Sequence, residues 1–202
     1  WGQESDDAHF IAHWKLDETE GMFAYDSAGE NDGMVLGRPL WQPEGGQLNG
    51  ALEFDGVDGF IMADFVTNPA ESPFSVFAWI KGGGPGQVII SQQSGVGWLQ
   101  VNADGTLMTE LTGSDARSAG APLYSETVIT DGNWHRVGFV WDGAQRILYV
   151  DDIPVAADEQ SGLDSSTGGL TIGVGRGQGA QTSSFWSGMI DDVRIYDRVV
   201  KP

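Results

Sequence analysis

The chain has 202 residues, a length that suits one all-β domain, and its 29 acidic against 10 basic residues leave a net charge of −19. That balance offers no basic cluster to hold a nucleic-acid backbone or an anionic lipid surface; it favours solubility, a cationic partner or a divalent metal. The absence of cysteine excludes disulfides, zinc–thiolate centres and cysteine nucleophiles, and no apolar run approaches the ~18–20 residues of a membrane helix.

Residues 1–8 are polar and acidic and read as the end of a linker, with one domain expected over 9–200. The opening at Trp1 reads as a piece of a longer, multidomain chain. His9 to Leu16 is predicted as a strand with Phe10, Ala12, Trp14 and Leu16 on one face at period 2. An acidic, glycine-rich loop follows over 17–33, then a short strand from Met34 to Leu36. Gly45-Gly46 and Asn49-Gly50 mark turns. A hairpin is expected from Ala51–Phe54 and Phe60–Met62 around Asp55-Gly56. Phe74–Lys81 is a strong strand, ended by the Gly82–Gly86 run and resumed at Gln87–Ser91. Trp98–Val101 and Thr106–Leu111 form another hairpin, and strands at Leu170–Val174 and Phe185–Tyr196 close the chain.

The segment from Asp131 to Asp151 carries the clearest signal. Asp131-Gly132 and Asp142-Gly143 punctuate two β-rich runs, because a tight turn needs positive φ and glycine supplies it without strain. Strands recurring roughly every ten residues, with no sustained amphipathic helix, predict an all-β, two-sheet antiparallel jelly-roll sandwich.

Five segments in order resemble the laminin-G-like, concanavalin A-like lectin/glucanase superfamily, in its bacterial form: Ala12–Glu18, Asp26–Gly37, Gly50–Ile61, Phe74–Lys81 and Leu170–Arg198, beside the 131–151 hairpin. Asp151-Asp152 departs from the family's Asp-Gly, and a longer turn closed through Ile153-Pro154 is expected there. The resemblance implies a module that holds one structural calcium, with Asp26 and Asp191 as ligands, Asn31 beside them, and Glu18 and Asp192 in reserve. Calcium takes six to eight oxygens, which this loop supplies, although Asp, Asn and Gly also build ordinary solvated turns.

A carbohydrate site needs exposed aromatic faces. Trp14, Trp79, Trp134 and Trp141 sit within strand patterns and are assigned mainly to the core; Trp41, Trp98 and Trp186 lie by glycine-rich turns and are the candidate sugar platforms. No strand carries the Glu-x-Asp-x-x-Glu run of the glycanases on this fold, and the chain has neither a Gly-x-Ser-x-Gly elbow nor His-Glu-x-x-His. Gly175 to Ala180 formally fits Gly-x-Gly-x-x-Ala, but a strand rather than a helix follows, so it reads as a loop. The expected protein is a non-catalytic recognition module, secreted, periplasmic or on a cell surface, with a glycan as ligand. The alternatives are a protein–protein adhesion or scaffold domain binding an extracellular protein, and a glycoside-acting enzyme.

Overall fold

A computed structural model describes residues 10–93, 96–113, 120–176 and 183–202. The linker end at 1–8, and the Gly175–Ala180 run beyond Arg176, lie outside these residues. In chain order the strands are β1 (Phe10–Trp14), β2 (Phe23–Ala24), β3 (Gly33–Leu36), β4 (Leu40–Gln42), β5 (Ala51–Asp55) and β6 (Phe60–Met62). Then come β7 (Phe74–Gly82), β8 (Val88–Gln92), β9 (Gly97–Val101), β10 (Thr106–Thr109), β11 (Leu123–Val128) and β12 (Trp134–Trp141). β13 (Gln145–Val150), β14 (Ile153–Glu159), β15 (Leu170–Ile172), β16 (Val174–Arg176), β17 (Ser183–Phe185) and β18 (Ser187–Tyr196) complete the set. No helix occurs among the described residues.

Two large antiparallel sheets face each other, as the strand pattern predicts. The first runs β14-β13-β12-β7-β18-β5-β4, with β1 also on β18; the second runs β11-β10-β9-β8-β15-β6-β3-β2. Between them Phe74 of the first sheet lies 5.2 Å from the ring of Trp98 in the second and 5.5 Å from Phe139. Burying each such side chain contributes about 1.5–3 kcal/mol. Ala12, Trp14 and Leu16 share this core as their period requires. Phe10 does not, because the register shifts between Phe10 and Ala12; it packs instead beside Phe77 and Tyr196 on the outer side of the first sheet.

The hairpin at 145–159 corrects the expected long turn. Val150 pairs with Ile153, so the loop is only Asp151-Asp152, and both residues take positive φ (51° and 66°). The aspartates offset that strain through their side chains. Asp151 accepts from the Arg136 backbone at 2.9 Å and contacts His135 at 2.8 Å, and Asp152 pairs with the Arg136 guanidinium at 2.8 Å. The Asp152 pair is solvent-exposed and contributes little, whereas left-handed φ in a non-glycine residue costs roughly 1–2 kcal/mol. Asp152→Gly is therefore expected to raise the melting temperature by a few degrees, read by calorimetry; a lower one would show that the ion pair outweighs the strain.

His135 also contacts Asp131 at 3.1 Å. Burial lowers its pKa, but the two carboxylates outweigh that and leave it raised. The contact thus stabilises fully below the ordinary imidazole value of about 6.5, and that contribution is lost as pH rises through the raised folded value. His135→Gln is expected to flatten the dependence of melting temperature on pH in that window.

Candidate functional site

β18 changes partner along one edge. Ile190 pairs with Leu52 of β5, whereas Val193 pairs with Trp14 of β1. Between them a bulge inserts one residue against β7, and Asp192 takes φ 51°. Asp191 and Asp192 therefore stand where the end of β1 meets the approach to β5.

Asp191 is fully buried. Its Oδ2 accepts from the Leu48 backbone at 2.7 Å, while its Oδ1 has no partner among the described residues. Burial pushes its pKa up to about 7; the Leu48 and Gln47 N–H groups oppose this, and the charges of Asp192 and Asp17 add to it. The exposed Asp17 accepts from Gly50 N at 2.8 Å, so both carboxylates clasp the 46–50 turn. A Cβ on Gly46 would stand 1.8 Å from Gly50 O and 2.9 Å from Asp191 Oδ2, so the turn closes against the carboxylate only with glycine there.

Asp26 is built differently. Its Oδ1 accepts from the backbones of His13 and Ala28 at 2.8 and 2.9 Å, and its Oδ2 from the backbone and side-chain nitrogens of Asn31 at 3.2 and 3.1 Å. Burial raises its pKa, but these donors outweigh burial and hold it below the ordinary carboxylate value. Asp26 and Asn31 are thus brought together, but as partners of each other. Asp191 has its own set of partners and shares none with them. Among the described residues no group of three or more His, Asp or Glu side chains is arranged to hold a metal. Asp191 retains a buried carboxylate oxygen without a partner among the described residues, whereas both oxygens of Asp26 accept hydrogen bonds.

The tryptophan expectation needs correction. Trp98 and Trp186 are 0% exposed and belong to the core. Glycine beside Trp186 does not expose the ring but makes room for it: a Cβ on Gly83 would lie 2.3 Å from the indole. Trp41 is half-buried on the edge strand β4 and donates from Nε1 to Gly21 O at 3.0 Å, bracing the 17–25 loop.

The exposed aromatic groups lie on the outer face of the second sheet. Register places Phe23, Met34, Met62, Thr171 and Ser91 in one row across β2, β3, β6, β15 and β8. After Gly173 the chain bends onto this face, and the Ser91 hydroxyl donates to Val174 O at 2.7 Å. Ser91 and Thr171 are thereby covered, and an open groove remains on either side.

One groove, of about 420 Å³, is lined by Gln100, Asn102, Met108, Glu110 and Tyr124. Its polar groups are largely committed: Glu110 accepts from Gly97 N, Asn102 from Ala103 N, and Gln100 donates to the Met108 sulfur. The other, of about 270 Å³, is lined by Phe23, Met34, Met62 and Phe65, with Asp32, Asp64 and Gln93 among them. Phe23 and Phe65 are 42% and 46% exposed, and Tyr25 stacks on Phe23 with centroids 6.4 Å apart. Asp32 spends one oxygen on Asp26 N, and its other oxygen carries no hydrogen bond among the described residues. Sequence reasoning missed this groove because Phe23 and Tyr25 sit in a loop-like stretch. Their alternation with the buried Ala24 was the available signal.

A chain of Ser27, His13 and Asp192 has the residue types of a hydrolytic triad, with contacts of 3.0 and 2.7 Å. The serine hydroxyl also has a second acceptor, and its surroundings are engaged. Ser27 Oγ donates to the His13 carbonyl, the neighbouring backbone N–H groups of Ser27 and Ala28 are taken by His13 O and Asp26, and Asp192 is shared with Arg194. Asp192 is held below its ordinary pKa: burial raises it, but His13 and Arg194 outweigh burial.

Residues 54–202 match the family model of the concanavalin A-like lectin/glucanases superfamily, and the chain belongs to that family. Comparison with curated proteins finds no match. Among solved structures, domain 4 of AbnA, a GH43 extracellular arabinanase from Geobacillus stearothermophilus, in complex with arabinotriose, aligns with TM-score 0.68 and 16% identity over 96% of this chain and 94% of that one. The binding domain of botulinum neurotoxin DC in complex with SialylT aligns with TM-score 0.67 and 14% identity over 95% of this chain and 48% of that one. Trypanosoma rangeli sialidase in complex with sialic acid aligns with TM-score 0.62 and 16% identity over 95% of this chain and 31% of that one. The chain thus spans about half of the toxin domain and about a third of the sialidase. At these identities the likeness is one of fold, shared by sugar-binding domains and by a sialidase chain.

Proposed function

We propose that this domain is a non-catalytic carbohydrate-binding module of a larger secreted or envelope protein, and that the glycan lies in the Phe23–Phe65 groove. The observation that carries this reading is the groove itself. Two exposed phenylalanine faces and two methionines supply an apolar floor for a sugar ring, and Asp32, Asp64 and Gln93 stand at hand for its hydroxyls. The fold supports the reading, since a structurally similar arabinanase domain was solved with arabinotriose. A glycan-array screen of the purified domain tests it. Saturable binding to at least one glycan is expected; binding to none, together with capture of a protein ligand through the same groove, would replace it with an adhesion function.

The same reading includes a structural calcium that Asp191 and Asp17 would hold, with water completing the six to eight ligands. The cation would supply the positive charge that the buried Asp191 lacks and tie β18 to the turn before β5. Binding to the folded state alone contributes about 2.7 kcal/mol at a hundredfold excess over Kd, roughly 5–10 °C for a domain of this size. Wild type is expected to gain that stability in calcium over chelator, and Asp191→Asn to gain none. Identical melting of wild type in both conditions, with no metal by elemental analysis, would remove the site.

A further inference from the structure

We infer that the Phe23–Phe65 groove selects uncharged glycans and rejects sialylated, uronate-containing or sulfated ones, an assignment that rests on the carbohydrate reading above. The polar groups lining the groove are Asp32, Asp64 and Gln93, and no Lys or Arg is among its described lining residues. An ionised carboxylate only accepts hydrogen bonds. A neutral sugar brings hydroxyl donors to it. A sialate, uronate or sulfate brings more acceptors, so no proton lies between the two groups and their charges repel.

Three of the arginines that would reverse this preference are engaged on the other sheet. Arg146, fully buried, pairs with Asp158 and donates to Leu111 O and Ala121 O. Arg136 lies over Phe77 and pairs with Asp152, and Arg194 lies over Phe10 and pairs with Asp192. The net charge of −19 adds a repulsive background that salt screens. Selectivity by charge thus follows from the two carboxylates, Asp32 and Asp64, on a rim where Gln93 is the single donor side chain among the described lining residues, and it is reinforced by the field of the whole chain.

The test uses glycan pairs that share one skeleton and differ at the carboxyl group: α2,3-sialyl-N-acetyllactosamine against its sialate methyl ester, and oligogalacturonates against their methyl esters, titrated by calorimetry with wild type and Asp64→Asn. Each pair is run at about 0.15 M and 1 M salt. The expected result is that a neutral member binds at least tenfold tighter than its charged counterpart at the lower salt. Asp64→Asn and the higher salt should each narrow that ratio, chiefly by tightening the charged member. Equal or tighter binding of the charged member would overturn the charge selectivity and leave the carbohydrate reading standing. If neither member of any pair binds, and the array also shows no ligand, the carbohydrate reading itself fails and the selectivity falls with it.

Discussion

Asp26→Ala is expected to destabilise the domain by about 3 kcal/mol or more without altering its response to calcium. The substitution leaves the backbone N–H groups of His13, Ala28 and Asn31 without their acceptor in a part-buried turn. Each hydrogen bond to a charged acceptor contributes about 1.5–3 kcal/mol, and a donor left unsatisfied costs about 1–3 kcal/mol. Partial access of water to the turn keeps the total below the simple sum. For a domain of this size the fall in melting temperature should be roughly 6–12 °C. The same turn carries the bridge between Trp14 and Asp26, so β1 would loosen from the 26–31 loop. Circular dichroism melts in calcium and in chelator separate the two aspartates. Asp26→Ala should melt lower in both and keep the calcium increment, whereas Asp191→Asn should lose the increment. Loss of the increment in Asp26→Ala with little change in intrinsic stability would return Asp26 to the metal.

The second large effect concerns the groove. Phe23→Ala and Phe65→Ala are each expected to weaken glycan binding about tenfold, the equivalent of roughly 1.4 kcal/mol. Both rings are exposed in the free protein, so truncation leaves no core cavity, and the melting temperature should move by no more than a degree or two. The double variant should lose about a hundredfold if the rings contact different parts of the sugar, and less if they share one. Tyr124→Ala, in the groove on the far side of Val174, should leave affinity unchanged. A loss confined to Tyr124→Ala would move the ligand to the β9–β11 end of the sheet.

Much of the sandwich was legible because its signals are local. The Asp142-Gly143 hairpin forms as read, with Asp142 Oδ1 accepting from Ala144 N and Gln145 N and Gly143 at φ 96°. β4, β11 and β14 were not anticipated. β4 is three residues long; β14 contains Pro154 and is an edge strand, where period-2 burial has little to enforce it. Trp98 and Trp186 were misread because a glycine beside a large ring signals either an exposed turn or a close-packed one, and only the packing distinguishes them. The separate hydrogen-bond partners of Asp26 and Asp191 were illegible for a different reason. They depend on β18 exchanging β5 for β1 at a bulge, a pairing between residues more than a hundred positions apart.

The proposed glycan site is the outer face of the second sheet beside β2, β3 and β6. Chemical-shift mapping of the labelled domain, titrated with an array-positive neutral oligosaccharide, tests it most directly. The perturbed amides should cluster at Phe23–Tyr25, Asp32–Met34, Met62–Phe65 and Gln93, with β12–β14 silent. Perturbations centred on Gln100–Glu110 and Tyr124, or on the Asp131–Asp152 hairpin, would contradict the assignment.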